Sequence, residues 1–161
     1  MTLMHWRRLG ALALAIYVVA WFVPVITMPP LFPVWRSDHP MTSFGWDAVL
    51  TAFSPLLHPG RPESFIDALS QVVSVASGLT NLVFLCVAWM LLSRRRRTVG
   101  RRMEAIVWEC ALLNLAWVAM GTDLRLGYVL WMASFVVLAA AVHQSRREAS
   151  VRIDVPLSST A

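Results

Sequence analysis

The sequence predicts an all-α integral membrane protein, an antiparallel bundle of four transmembrane helices with a short interfacial helix in the first outer loop. Two observations predict this fold class. Of the 161 residues, 58% are hydrophobic and only 14% are charged, a composition too apolar for an ordinary soluble domain. The charges also flank the apolar runs: all 14 basic residues are arginine, and eleven of them lie in three segments that would share one side of a four-span protein.

These eleven arginines precede the first span, separate the second from the third, and follow the fourth. By the positive-inside rule, both termini then face the cytoplasm of a bacterial inner membrane. The other three, Arg36, Arg61 and Arg125, fall in the outer segments. Because the charge flanks hydrophobic runs instead of forming a patch, it indicates contact with the lipid bilayer and argues against nucleic acid as a partner.

Four apolar runs supply the spans, at about 9–28, 69–92, 103–120 and 126–143. A helix of about 20 residues reaches roughly 30 Å, the thickness of the hydrocarbon core. The first run is too long for a signal peptide and is expected to remain as an anchor, with a kink at Pro24. Short connections make the later spans antiparallel neighbours. The polar, Ser-rich residues 144–161 are expected to form a flexible cytoplasmic tail.

The outer loop, residues 29–67, contains seven prolines and six aromatic residues. Within it, Ser43–Phe53 is predicted to be a helix, with Ser43 as its N-cap and Asp47 in its first turn. Apolar residues at helical spacing give it one stripe, so it is expected to lie flat at the membrane surface. Aromatic anchors are typical of binding surfaces. The partner-binding candidates are therefore Trp35, Trp46, Val49, Leu50 and Phe53.

Several segments resemble a set of small four-span bacterial inner-membrane proteins. They are Phe22-Val-Pro24, Ser43-Phe-Gly-Trp-Asp-Ala-Val-Leu50, Leu79-Thr-Asn-Leu-Val-Phe84 and Leu126-Gly-Tyr-Val-Leu-Trp-Met-Ala-Ser-Phe135. The resemblance implies a four-span fold and an inner-membrane location. It implies no site, because no activity is assigned to that family. The chain departs from it at Thr80-Asn81, where the similar proteins often have Asn-Pro.

Three polar residues within the predicted spans are candidates for a ligand-binding or proton-binding site. Glu109 lies six residues past Met103, about 9 Å into the hydrocarbon core, where an ionised carboxylate is costly. It is either a functional carboxylate or the partner of Arg101 or Arg102. Asn81 and Asn114 fall near the middle of adjacent antiparallel spans, so their amides are expected to bond to each other, most simply as interhelical packing contacts.

The sequence offers no catalytic constellation. It lacks a Ser/His/Asp nucleophile motif and a Gly-rich phosphate loop, and its outer-loop residues His39 and His58 have no recognised ligand spacing, so no metal or cofactor is predicted. Cys86 and Cys110 are not paired in a C-x-x-C motif. The function expected is therefore non-enzymatic: an accessory, assembly or regulatory partner of another membrane protein, or a self-associating one. The alternatives are a small transporter or ligand sensor that uses Glu109, Asn81 and Asn114, and a lipid-modifying enzyme.

Overall fold

The computed structural model describes residues 5–28, 41–57, 61–62, 64–93, 100–119 and 123–153. They form a mostly helical chain, as the sequence predicts, with three short strands that it does not predict. The elements in chain order are α1 (His5–Trp21), β1 (Pro24–Met28), β2 (Met41–Phe44), α2 (Gly45–Ala52), α3 (Ser54–Leu57), α4 (Phe65–Leu92), α5 (Arg101–Asn114), α6 (Ala116–Ala119), β3 (Asp123–Leu124) and α7 (Leu126–Ile153).

Among the described residues, two helices are long and apolar enough to cross a membrane: α4, and α7 over Leu126–Ser150. A buried core helix of a soluble protein can share these properties, so length and composition alone do not establish a membrane span. α4 begins four residues before the predicted limit of 69. Ser64 supplies its N-cap, because the Ser64 hydroxyl accepts a hydrogen bond from the Asp67 backbone N–H at 3.1 Å.

The first apolar run is a helix over only part of its length. α1 ends at Trp21, and residues 24–28 form β1, so the predicted helix over 9–28 is wrong at its C-terminal end. Proline lacks a backbone N–H and disfavours the α conformation in the preceding residue. The β-branched residues Val25, Ile26 and Thr27 then favour a strand.

β1 is the central strand of an antiparallel sheet with the order β2-β1-β3. Ile26 lies opposite Ser43 on one side and Leu124 on the other. Ser43 is therefore in a strand, and its predicted role as a helix N-cap is wrong. Phe44 holds the cap position of α2 without a side-chain hydrogen bond, whereas Asp47 does lie in the first turn as predicted.

The last two helical runs also differ from their predicted limits. α5 ends at Asn114, because the Tyr128 hydroxyl donates to the Asn114 carbonyl oxygen at 2.5 Å, and a short α6 follows. α7 continues well past 143 to Ile153, so residues 144–153 are helical and do not form the expected flexible tail. Residues 154–161 lie outside the described residues.

The long helices pack side by side with alternating directions. α1 runs antiparallel to α4, since Gly10 faces Leu91 and Tyr17 stacks on Phe84 with ring centroids 4.3 Å apart. α4 and α7 run parallel, since Asn81 meets Trp131 and Phe84 meets Phe135. α5 is antiparallel to α7, because Glu104 meets the far part of α7 and Asn114 meets its first turn.

The core lies where these helices meet. Its central side chains, Phe84 and Phe135, are fully buried and pack edge to face with ring centroids 5.1 Å apart. α1 packs most extensively against α7. The core thus places the outer end of α1, the middle of α4 and the start of α7 together, and the candidate site lies there.

Candidate functional site

Asn81 and Asn114 belong to one buried polar cluster. The sequence suggests a hydrogen bond between their side chains, but each binds other residues of the cluster instead. Asn114 Oδ1 accepts from the Ser77 hydroxyl at 2.8 Å, and Asn114 Nδ2 donates to Thr80 Oγ1 at 3.2 Å. Ser77, Thr80 and Asn81 are spaced i, i+3, i+4, so they share one face of α4. Asn114 therefore joins α5 to α4 through two neighbours of Asn81.

Asn81 instead joins α4 to the two other long helices. Its Oδ1 accepts from the Tyr17 hydroxyl of α1 and from the Trp131 Nε1–H of α7, both at 2.9 Å. An indole N–H can only donate, so this contact fixes the orientation of the Asn81 amide, with its oxygen toward α1 and α7. One buried oxygen atom thus holds three helices in register.

The polar groups of this cluster satisfy one another. Asn81 Nδ2 donates within its own helix to the carbonyls of Ser77 and Gly78, and the Thr80 hydroxyl donates to the Ser77 carbonyl at 2.6 Å. Amides and hydroxyls without an adjacent acid or base hold helices together and do not activate a nucleophile. Sequence reasoning missed the contributions of Tyr17 and Trp131, because those contacts are between residues distant in the chain.

Glu109 lies on the exposed face of α5, away from the cluster on its buried face. Glu109 is not buried among the helices, and within the described part of the chain it forms no ion pair with Arg101 or Arg102, although all three residues are described. The candidate set of Glu109, Asn81 and Asn114 is not brought together.

Glu104 is a partly buried carboxylate that the sequence did not single out. Its side chain is 15% exposed and lies between α5 and α7, with Oε1 2.8 Å from His143 Nδ1. Its Oε2 lies 3.2 Å from Arg146 Nε, an ion-pair distance, without the alignment of a hydrogen bond. The available signal was weak: an acidic residue in the first turn of a helix, opposite basic residues at the end of the last span.

The predicted partner-binding stripe is divided between two faces of α2. Phe53 packs inward against Gly78 of α4: a Cβ added at Gly78 would lie 3.0–3.1 Å from two atoms of the Phe53 ring. Val49 is half-buried. Trp46 and Leu50 are exposed. Trp35 lies outside the described residues.

Two glycines in the motif segments allow helices to start against the outer end of α1. A Cβ on Gly45 would lie 2.6 Å from Trp21 Cα, and a Cβ on Gly127 would lie 2.6 Å from the carbonyl oxygens of Val23 and Pro24. Only glycine permits such backbone contact. The two helices α2 and α7 therefore begin on the junction between α1 and β1.

Chemically reactive groups do not converge elsewhere in the part of the chain that the structure describes. No three His, Cys, Asp or Glu side chains there form a group that could hold a metal ion. His39 and His58 fall outside the described residues. Cys110 is buried and Cys86 is exposed, both as free thiols.

Comparisons with protein-family models, with curated proteins and with solved structures found no match to this chain.

Proposed function

We propose that this chain is a four-span protein of a bacterial inner membrane that acts as a non-enzymatic accessory, assembly or regulatory partner of another membrane protein. The observation that carries the membrane location is the apolar outer surface of the helices. Asn81 and Asn114 lie in a polar cluster within an otherwise apolar core, and large apolar side chains cover much of the outside as well. The exposed apolar residues include Leu12, Val18 and Val19 of α1, Leu79, Leu82, Leu85 and Trp89 of α4, Leu112 of α5, and Val129 and Val136 of α7.

A soluble bundle would expose its polar faces, because apolar surface in water is unfavourable by about 25 cal/mol per Å². Lipid removes this penalty. The spans would be α1, α4, α5 continued by α6, and α7. α1 reaches about 26 Å and residues 101–119 about 28 Å, both close to the hydrocarbon thickness of about 30 Å. α2 would be the interfacial helix of the first outer loop.

The arginines support one orientation, because three pairs of them lie at the same end of the helices. Gly10 packs against Leu91 and Leu92, which puts Arg7 and Arg8 beside the end of α4. The Glu104 contacts to α7 bring the start of α5, with Arg101 and Arg102, to the level of Arg146 and Arg147. By the positive-inside rule this end faces the cytoplasm.

Cysteine labelling tests the topology. In a chain with Cys86 and Cys110 changed to alanine, Ser64→Cys should react with a membrane-impermeant thiol reagent in intact spheroplasts. Ser93→Cys and Ser145→Cys should react only after the membrane is opened. Labelling of the cysteine at 93 but not at 64 would invert the orientation, and equal labelling of all three in intact spheroplasts would contradict four spans.

The accessory role rests on the exposure of Glu109 in an otherwise apolar surface. Ile106 and Leu112 lie beside it on the exposed side of α5. With α5 in the membrane, Glu109 faces lipid about 9 Å below the membrane surface, where an ionisable group costs several kcal/mol and normally pairs. A neighbouring span that supplies a basic or hydrogen-bond-donating side chain would remove this cost. The partner-binding surface we propose is therefore the Glu109 face of α5.

Photocrosslinking from inside the membrane tests this surface. A photoreactive residue at Leu112 should give one discrete protein adduct in native membranes, and Glu109→Leu should abolish it. The matched control is the same photoreactive residue at Val136, which is exposed on α7 and should give only lipid adducts. An adduct of twice the chain's mass would identify self-association. The proposal fails if Leu112 gives only lipid adducts.

The transporter or ligand-sensor alternative has less support. It requires Glu109 to act together with Asn81 and Asn114. Glu109 is exposed. The side chains of Asn81 and Asn114 are buried, where they accept hydrogen bonds from Trp131 and Ser77 respectively. A fully hydrogen-bonded cluster also has few free groups with which to bind a polar ligand.

A further inference from the structure

The depth of α2 follows from what its two ends touch. Its first residue, Gly45, lies against the backbone of Trp21 at the end of α1. Immediately after its last residue, Phe53 lies against Gly78 in the middle of α4. Both of these contacts can be measured along the long helices from the same reference, the cytoplasmic end of α4 at Ser93.

The two contacts lie at the same height. Gly78 precedes Ser93 by 15 residues, about 22 Å along a helix that rises 1.5 Å per residue. Asn81, which precedes Ser93 by 12 residues, lies about 18 Å along α4, and it bonds to Tyr17 of α1. Trp21 is four residues beyond Tyr17, which places it at about 24 Å. The axis of α2 is therefore roughly parallel to the membrane plane.

This height is inside the hydrocarbon core. With the cytoplasmic edge of the core at Ser93, where the arginines begin, the outer edge lies about 30 Å away. The axis of α2 then lies about 6–8 Å below the outer edge, within the range at which amphipathic helices insert into a membrane leaflet.

The side chains of α2 divide into three rows that suit such a depth. One row, with Val49, Ala52 and Phe53, faces the long helices. A second row is polar: Thr51 and the following Ser54 are exposed, and Asp47 is half-buried. Side chains extend about 5–6 Å from a helix axis, which brings this row close to the outer edge of the core.

The third row is apolar and exposed. Trp46 is 48% exposed and Leu50 63%, and α3 adds Leu56 at 63% and Leu57 at 70%. At the same height, α4 and α1 expose Leu79 and Val19, so this row continues an apolar surface that already runs around the helices. Asp47 is the single charged residue of α2 and α3.

We propose that α2 and α3 are embedded in the outer leaflet, where the row of Trp46, Leu50, Leu56 and Leu57 binds the upper acyl chains of phospholipids. The inference rests on the proposed membrane location. It adds to that location a lipid-binding surface in the first outer loop, at the depth of the acyl chains instead of the headgroups.

Fluorescence quenching at single labelled cysteines tests the depth. The cysteine-free chain described above would carry Leu50→Cys, labelled with an environment-sensitive fluorophore and reconstituted into vesicles of phosphatidylethanolamine and phosphatidylglycerol. Because Leu50 is exposed, the label should not disturb packing. Nitroxide near the top of the acyl chain should quench this label several-fold more strongly than nitroxide on the headgroup or iodide in the water. Thr51→Cys, on the polar row, is the matched control and should show the opposite preference.

A third label separates failure of this inference from failure of the membrane location. Cys86 alone, with Cys110 changed to alanine, reports on the exposed middle of α4. If acyl-chain nitroxides do not quench a label at Cys86, the proposed four spans are wrong. If they quench Cys86 while iodide quenches the label at 50, α2 is outside the membrane and this inference alone is overturned. A label at 50 shielded from both quenchers would mean that protein covers the row, which also overturns it.

Discussion

Replacing Asn81 with leucine should loosen the contacts of three helices at once. Leucine keeps most of the side-chain volume but removes the oxygen that accepts from Tyr17 and Trp131. Both donors are then left without their interhelical partner in the interior of the protein. Besides these two interhelical bonds, the change removes only the long contacts of the amide nitrogen to the Ser77 and Gly78 carbonyls of its own helix, at 3.4 and 3.3 Å, and it alters the packing volume little.

The magnitude can be worked from the two hydrogen bonds lost. Interhelical hydrogen bonds within membranes contribute about 0.6 kcal/mol on average and up to about 1.7 kcal/mol. Asn81→Leu should therefore lower the free energy of unfolding by about 1–3 kcal/mol. Tyr17→Phe removes one of the two bonds and should cost about 0.6–1.7 kcal/mol. In a double-mutant cycle the two changes should be less than additive, because they share that bond.

Reversible unfolding in mixed detergent micelles, followed by far-ultraviolet circular dichroism, measures these free energies. Ser134→Ala is the matched control: Ser134 is fully buried, but its hydroxyl donates to the Trp131 carbonyl within its own helix. It should change the free energy of unfolding by less than about 0.5 kcal/mol. If Asn81→Leu were as mild as Ser134→Ala, or if Tyr17→Phe and Asn81→Leu were fully additive, the hydrogen bonds would not hold the helices in register.

Further predictions concern backbone contacts and the two acidic residues of α5, all measured by the same unfolding titration. Gly45→Ala and Gly127→Ala should each destabilise the fold by more than about 1 kcal/mol, because the new Cβ would lie 2.6 Å from backbone atoms. Gly100 has open space around it, so Gly100→Ala is the control and should be nearly neutral. Glu104→Gln should lower the free energy of unfolding by roughly 1–2 kcal/mol, between the values for exposed and buried ion pairs. Glu109→Gln should change it by less than about 0.5 kcal/mol; equal effects of the two changes would contradict the difference in their burial.

The sequence predicts helices where apolar runs are long, and α4 follows the prediction within four residues. The sequence-based prediction of helices fails where the apolar run is short. Residues 24–28 are equally consistent with the end of a span or with a buried strand, and only pairing with distant residues such as Ser43 and Leu124 decides between them.

The orientation of individual side chains was harder to predict, and Glu109 is the clearest case. In a soluble helix the apolar stripe marks the inward face, but in α5 and α7 both faces are largely apolar, so periodicity does not distinguish them. The positions of Asn81 and Asn114 near the middle of their apolar runs could be read from the sequence. Their partners could not, because Tyr17 and Trp131 are 64 and 50 residues away from Asn81.

The packing of α1 against α7 also affects when the contacts of α1 can form during synthesis of the chain. α1 leaves the ribosome well before α7, yet α1 makes its most extensive contacts with α7. About 105 residues separate the end of one from the start of the other, so at about 5–20 residues per second α7 begins roughly 5–20 s after α1 is complete. During that interval the face of α1 that packs against α7 lacks its partner. Any factor that assists the folding of this chain would act within that interval.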